Sequence, residues 1–166
     1  RAALLGLTIE RLIAAGYVYI GMDHFALPQD ELVIAQGNGT LHRNFQGYST
    51  RGYCDLIGLG VSSIGKVGDH YMQNLKTLPE YYGALDRGEL AVHRGLSLTR
   101  DDVIRRDVIQ QIMCYGVLDF DATAQRHGID FRQYFASELT ALEPMVADGL
   151  AEFVAPGLRV LPAGRL

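Results

Sequence analysis

Glycine interrupts nearly every segment of residues 17–65, where long amphipathic periods are absent. The glycines of this stretch are Gly21, Gly37, Gly39, Gly47, Gly52, Gly58, Gly60 and Gly65. Each one either permits a positive φ or lets another group approach the backbone closely. Because short apolar segments flank them, the pattern predicts loops at the mouth of a sheet, where α/β proteins bind ligands. The stretch is therefore predicted to be a binding surface.

Composition narrows the class of protein. The 166 residues, 48% of them hydrophobic, are enough for a sizeable core. With 15 basic and 19 acidic side chains the net charge is −4, which disfavours a nucleic-acid-binding face. Cys54 and Cys114 have no CxxC-type partner, which indicates reduced thiols in a cytoplasmic protein and no cysteine metal site. No apolar run is long enough to cross a bilayer, so a soluble protein is expected. The chain begins without Met inside a helical pattern, and we expect an excised fragment of a longer protein.

The first part of the chain has an α/β pattern. Residues 2–15 predict a helix closed by Gly16, and residues 17–20 predict a strand, as in half of a βα unit. Pro28 is predicted to open a second helix through Gln36. Residues 55–62 have the apolar character of a buried strand, and residues 70–74 that of an edge strand or hairpin arm.

From Thr77 onward the pattern becomes mostly helical. Thr77 and Glu80 form a capping-box signal for a helix through Asp86. Further helices are predicted over residues 100–116, over residues 122–127 and from Phe131, the last of them broken or kinked by Pro144. Residues 150–154 and 158–161 predict a β-hairpin. The resulting domains are residues 1–75 and a winged-helix-like unit of residues 76–166.

Asp23 and His24 follow the predicted strand, where an α/β fold places catalytic side chains. A carboxylate beside an imidazole is suited to acid–base catalysis, so both are candidate catalytic residues. The alternative is a buried histidine that donates to a backbone carbonyl. A metal site made of Asp23, His24 and His42 lacks the tight spacing of established metal motifs.

Residues 42–51 form the richest polar patch, with Arg43, Tyr48 and Arg51 among its members. Arginine forks match carboxylates and aromatic faces cover ring systems, so an anionic, ring-bearing substrate would fit. The alternative is a loop fixed to the body by its own side chains. Gly58 and Gly60 have two interpretations as well, since they could admit a ligand or the close packing of a helix.

Four ordered blocks carry a family resemblance. They are residues 19–26 (YIGMDHFA), 41–48 (LHRNFQGY), 60–62 (GVS), and 98–102 (LTRDD) with 104–109 (IRRDVI). Over essentially its whole length the chain resembles the oxygen-independent coproporphyrinogen III oxidases (coproporphyrinogen dehydrogenases) of the radical S-adenosylmethionine class. The related haem-chaperone branch has a Tyr-Trp loop in place of residues 43–48, and this chain has no Trp.

The resemblance implies the last elements of a partial (β/α) radical-SAM barrel, followed by a mostly helical, winged-helix-like C-terminal domain. It implies oxidative decarboxylation of two propionates of coproporphyrinogen III to vinyls, with S-adenosylmethionine and a 4Fe-4S cluster as cofactors. The cluster ligands lie outside this chain, which alone is expected to be inactive. The full-length enzyme is expected to be a cytoplasmic monomer that binds neither nucleic acid nor membrane.

Position by position, the resemblance assigns cofactor contacts to two residues. Ile64 matches the residue that contacts the adenosyl part of S-adenosylmethionine, and Gln46 matches a loop residue near a second S-adenosylmethionine or the substrate. Arg43 and Arg51, with Tyr48, are hypothesised to bind substrate propionates. The alternatives are a haem chaperone of the same superfamily and a non-catalytic winged-helix interaction module.

Overall fold

A computed structural model describes residues 2–165, which fall into two units. Unit 1 joins residues 1–52 with residues 106–166, and unit 2 consists of residues 53–105. The sequence predicts a boundary at residue 75, between the barrel edge and the helical domain. The division into two units does not test that boundary, so it stays a prediction.

The first part of unit 1 is a helix followed by two short hairpins. Helix α1 (Ala2–Ala14) ends before Gly16, whose φ of 89° is the left-handed conformation predicted for the cap. Strand β1 (Val18–Gly21) follows the cap directly, which gives the predicted order of helix, glycine cap and strand, and it pairs antiparallel with β2 (His24–Ala26). Met22, in the turn between the two strands, has a φ of 53°, and this left-handed conformation lets the chain reverse direction from β1 to β2.

Helix α2 (Glu31–Gly37) begins three residues later than predicted. Its N-cap is Asp30, whose carboxylate accepts from the Leu32 N–H at 2.9 Å, so Pro28 precedes the helix. Strands β3 (His42–Arg43) and β4 (Tyr48–Ser49) form the second hairpin. The core beneath these elements contains the buried side chains of Ile20, Ala26, Ala35, Leu41 and Cys114.

The rest of unit 1 begins within helix α4 (Arg100–Tyr115), which extends across the unit boundary at residue 105. Strand β8 (Val117–Asp119), which had not been predicted, forms a sheet in the order β8-β10-β9 with β9 (Ala151–Val154) and β10 (Gly157–Val160). The last two strands are the predicted hairpin. A short 3-10 helix, Pro162–Arg165, follows.

Three helices lie between β8 and β9 in the sequence. They are α5 (Phe120–His127), α6 (Phe131–Tyr134) and α7 (Ala136–Ala147). Phe120 stacks on Phe131 with ring centroids 4.4 Å apart, and Phe135 packs against Phe131 at 4.7 Å. The helix predicted from Phe131 is interrupted at Phe135. The predicted break at Pro144 is wrong, because α7 continues to Ala147 and the Pro144 carbonyl still accepts from Asp148 N.

Unit 2 is an antiparallel sheet with one helix. Strands β5 (Ile64–Val67), β6 (His70–Asn74) and β7 (Val92–Ser97) are hydrogen-bonded in that order, so residues 70–74 are the predicted hairpin arm. Helix α3 (Leu78–Asp86) begins after the N-cap Thr77, as predicted. Strand β7 was not predicted, and all six of its residues are exposed, so it lacks the alternation that marks a half-buried strand.

The buried strand predicted over residues 55–62 is wrong. Leu56 forms a single bridge with Lys66, while the side chains of Ile57 and Leu59 are 64% and 82% exposed. Gly60 and Ser62 have φ angles of 92° and 61°, which an extended strand cannot contain.

Candidate functional site

The β3–β4 hairpin carries three of the seven predicted site residues, Arg43, Gln46 and Tyr48. Arg43 and Tyr48 are directly paired across it. Asn44 holds the turn, because its Oδ1 accepts from Gln46 N at 2.9 Å and from Gly47 N at 3.1 Å. The backbone of Asn44 also donates to Gly47 O at 2.9 Å. A rigid turn therefore presents an exposed Gln46 at its tip, beside a Phe45 side chain that is 64% exposed.

The backbone of Arg43 is fixed by a residue of α4. Arg43 N donates to Gln110 Oε1 at 2.9 Å, and Gln110 Nε2 donates to Arg43 O at 2.5 Å. One amide side chain thus bonds the Arg43 backbone as a neighbouring strand would. Sequence reasoning missed Gln110, since a glutamine on a helix gives no local signal of a partner 67 positions away.

The guanidinium of Arg43 lies over the ring of Tyr48, with Cζ 4.8 Å from the centroid. The Tyr48 hydroxyl donates to Met113 O at 3.0 Å, which fixes the ring to the last turn of α4. Burial raises the pKa of Tyr48, and the positive charge of Arg43 opposes that rise. Arg43 Nη1 is buried and has no hydrogen-bond partner among the described residues.

Cys114 is fully buried next to this arrangement. Its Sγ donates to Gln110 Oε1 at 3.5 Å. Burial raises the pKa of the thiol to about 11, and the charge of Arg43 only partly offsets this. Cys114 is therefore a neutral thiol at neutral pH and not a nucleophile.

Asp23 and His24 form a pair, with His24 Nδ1 2.8 Å from Asp23 Oδ1 at an angle outside that of a hydrogen bond. Asp23 lies in the β1–β2 turn and His24 opens β2, so both follow strand β1 directly, as predicted. The His24 ring meets the edge of Tyr48 at 5.1 Å and leaves no room for a side chain at Gly47. A catalytic role for either residue stays a prediction.

Arg51 follows strand β4 and is exposed. Its backbone N–H donates to Ser49 Oγ at 3.0 Å. The neighbouring Gly52 packs against the His42 ring so closely that a Cβ there would overlap the imidazole. Within unit 1, Arg43, Tyr48 and His24 are therefore in one cluster, Gln46 is at the hairpin tip, and Arg51 lies just past the strand.

Ile64 belongs to unit 2, where it opens β5 opposite Gln73 and is half-buried. The segment before it is held by Asn74, whose Nδ2 donates to Gly58 O and Gly60 O, both at 2.9 Å. A Cβ at Gly58 would lie 2.9 Å from the Ser63 Cβ. Close packing of the chain on itself, more than a ligand, accounts for Gly58.

Two cavities of unit 1 lie away from the hairpin tip. An open apolar groove of about 800 Å³ is lined by α1, β1 and the final 3-10 helix. A smaller cavity of about 120 Å³ is bounded by Gly21, Tyr48 and Met113, among others. Within residues 2–165, no three His, Cys, Asp or Glu side chains are grouped to hold a metal ion. No helix in that range is long and apolar enough to span a membrane.

Comparison with known proteins gives a consistent result. Residues 98–166 match the family model described as the HemN C-terminal domain. The chain is 53% identical over 98% of its length to the oxygen-independent coproporphyrinogen III oxidase of Pseudomonas aeruginosa, and 49% identical over 96% to that of Escherichia coli. It spans 35% of the length of each of these relatives, and 51% of one from Thermostichus vulcanus at 46% identity.

A solved structure gives the same match. The structure described as coproporphyrinogen III oxidase (HemN) from Escherichia coli, a radical SAM enzyme, superposes with a TM-score of 0.91 at 49% identity. The match covers 98% of this chain and 37% of that one. The predicted fold class and family resemblance are thereby confirmed.

Proposed function

Since residues 98–166 belong to the HemN C-terminal domain family, we propose that the chain is the C-terminal part of an oxygen-independent coproporphyrinogen III oxidase. The reaction of the full-length protein would convert two propionates of coproporphyrinogen III into vinyl groups, with loss of carbon dioxide, and give protoporphyrinogen IX. This chain alone would be inactive. The full-length protein would act in the cytoplasm. It would be a monomer, and gel filtration can test this oligomeric state.

Of the two cofactors of this reaction, the chain has residues that could contact S-adenosylmethionine but none that fit the 4Fe-4S cluster. S-adenosylmethionine and a 4Fe-4S cluster would supply the hydrogen-abstracting radical. A cluster needs three or four cysteines, whereas this chain has an exposed Cys54 and a buried Cys114 that is protonated at neutral pH, so its residues do not fit the cluster. The half-buried Ile64 would contact the adenosyl part of the cluster-bound S-adenosylmethionine. The exposed amide of Gln46 is assigned separately, to a second S-adenosylmethionine or to the substrate.

The environment of the Arg43 guanidinium supports a substrate that carries carboxylates. Arg43 Nη1 is a buried cationic donor without a hydrogen-bond partner among the described residues, in a guanidinium held on the Tyr48 ring. A buried unpaired donor costs free energy, so an acceptor is expected when the site is complete. A propionate is such an acceptor, and guanidinium and carboxylate geometries match. Arg51, exposed near the same hairpin, is proposed to bind a second propionate.

The test uses the full-length protein under anaerobic conditions, with porphyrinogen products measured. We expect Arg43→Met to raise the KM for coproporphyrinogen III about tenfold or more, since a charge-assisted hydrogen bond is lost. Arg159→Met is the matched control, because Arg159 forms an exposed pair with Glu152 at 3.0 Å on strand β10. Absence of any product with the wild-type protein would overturn the proposed function. An unchanged KM in Arg43→Met would overturn the role of Arg43.

A further inference from the structure

We propose that Gln110 is a positioning residue that orients Arg43 toward a carboxylate of the substrate, an inference that rests on the proposed function. Gln110 sits on α4 and Arg43 on β3, 67 residues apart in the sequence. Its amide satisfies both the N–H and the C=O of Arg43, at 2.9 and 2.5 Å. Because both backbone groups are bonded to one rigid helix, the direction of the Arg43 Cα–Cβ bond is fixed.

The far end of the Arg43 side chain is held by the same helix. Tyr48, on which the guanidinium lies, donates to Met113 O at 3.0 Å. Gln110 and Met113 are three positions apart on α4 and so lie on one face of it. A single helical face thus sets the backbone of Arg43 through Gln110 and the position of its guanidinium through Tyr48.

The charge of Arg43 is not neutralised by the thiol beside it. Cys114, four positions after Gln110, remains protonated at neutral pH because burial raises its pKa to about 11. Its Sγ donates to the same Gln110 oxygen that accepts from Arg43 N, at 3.5 Å. Because Nη1 is buried and no described residue bonds it, a substrate carboxylate would reach it when the guanidinium turns toward the bound substrate. Gln110 sets where that carboxylate is bound.

The experiment compares Gln110→Met with Gln111→Met in the full-length enzyme. Gln110→Met keeps the side-chain length and removes both bonds to Arg43. Gln111→Met makes the same chemical change one position along the helix, where Gln111 bonds Asp107 and Thr123 instead. Gln110→Met should raise the KM about tenfold with kcat within about twofold, while Gln111→Met should leave the KM unchanged.

A second readout does not need turnover. Coproporphyrin III and its tetramethyl ester differ in the four carboxylate charges, and the fluorescence of both reports binding. The measured quantity is the affinity for coproporphyrin III divided by the affinity for its tetramethyl ester. This ratio should fall about tenfold in Gln110→Met and stay constant in Gln111→Met. In an Arg43→Met background, Gln110→Met should have no further effect on this ratio, because Gln110 acts only through Arg43.

The outcomes separate the two proposals. An inactive wild-type protein would overturn the proposed function, whatever the variants do. An active wild type in which Arg43→Met raises the KM and a folded Gln110→Met does not would overturn the role of Gln110 alone. If Gln110→Met does not fold, Gln110→Glu replaces it, since the carboxylate retains the acceptor for Arg43 N and loses the donor to Arg43 O. An unchanged affinity ratio in that variant would equally overturn the inference.

Discussion

The β3–β4 hairpin of unit 1 and residues 56–63 of unit 2 both belong to the glycine-interrupted stretch of residues 17–65, yet they are held in different ways. The hairpin is fixed by side chains from the distant helix α4, through Gln110 and through the Tyr48 bond to Met113. Residues 56–63 are fixed by the adjacent strand β6, whose Asn74 binds two of their carbonyls. The contrast indicates that substitutions at the hairpin should destabilise unit 1 as a whole, whereas those in residues 56–63 should act locally.

Each unit holds one cysteine, and their reactivity should give the largest difference. Cys114 is fully buried under the hairpin, and at pH 8 a thiol with a pKa of about 11 is ionised to only about one part in a thousand. Cys54 is exposed. Iodoacetamide should therefore modify Cys54 at least about a hundred times faster than Cys114 in the native protein, with both modified in denaturant, as mass spectrometry can measure. Comparable native rates would contradict the tight packing of the hairpin on α4.

The same thiol predicts a pH dependence of stability. Burial raises its pKa from 9.0 to about 11, so the folded state favours the protonated form. The contribution is complete below pH 9 and is lost as the pH rises through 11, because the unfolded chain releases the proton first. Cys114→Ala should flatten the free energy of unfolding between pH 9 and 11 relative to wild type. Parallel pH profiles for the two proteins would show that folding does not raise the pKa of the Cys114 thiol.

Substitution of Gly21 tests the packing of the hairpin on β1. A Cβ at this position would lie 2.3 Å from the Tyr48 hydroxyl oxygen, which is itself bonded to α4. Gly21→Ala should lower the free energy of unfolding by about 3 kcal/mol, as overpacking at a constrained site does. Gly37→Ala is the control, since nothing lies within 4 Å of a Cβ there and α2 should gain about 0.5 kcal/mol. Equal changes in the free energy of unfolding in Gly21→Ala and Gly37→Ala would contradict the close packing of Tyr48 against Gly21.

In unit 2, Asn74→Asp tests whether residues 56–63 depend on strand β6. The variant keeps the shape of Asn74 but replaces the amide donor to Gly58 O and Gly60 O with a carboxylate oxygen. We expect a loss of about 2 kcal/mol, seen as faster amide hydrogen exchange in β5 and residues 56–63, because two partly buried acceptors lose their donor. The control is Asn38→Asp at the C-cap of α2, which should leave this exchange unchanged. Faster exchange throughout unit 1 in Asn74→Asp would contradict the local character of this segment.

Local signals in the sequence accounted for the elements that need only near neighbours. Thr77 marks the start of α3 because a capping side chain acts within three residues, whereas the start of α2 was predicted at Pro28 and its cap is Asp30. The β9–β10 hairpin could be predicted for the same reason, since its turn residues lie between its strands. The glycine pattern predicts a binding surface, but two of the glycines make room for side chains of this chain and not for a ligand. Gly21 accommodates Tyr48, and Gly47 accommodates His24.

Two features of the candidate site could not be predicted from local patterns. The Gln110 contact to Arg43 joins positions 67 residues apart, and no periodicity or turn signal encodes it. The recurring apolar side chains of residues 55–62 predict a buried strand. Ile57 and Leu59 are in fact exposed, and composition cannot distinguish an apolar residue that fills the core from one that does not.

Helix caps should give the smallest effects and complete the comparison. Asp30 caps α2 in unit 1 through Leu32 N at 2.9 Å, and Thr77 caps α3 in unit 2 through Glu80 N at 3.4 Å. Loss of either cap should cost about 1 kcal/mol, because one orphan N–H loses its acceptor. The effects should differ in extent: Asp30→Ala should speed amide exchange across α2 and β1, since Gln36 of α2 donates to Ile20 O, whereas Thr77→Ala should affect α3 alone. Exchange confined to α2 in Asp30→Ala would mean that unit 1 is no more tightly coupled than unit 2.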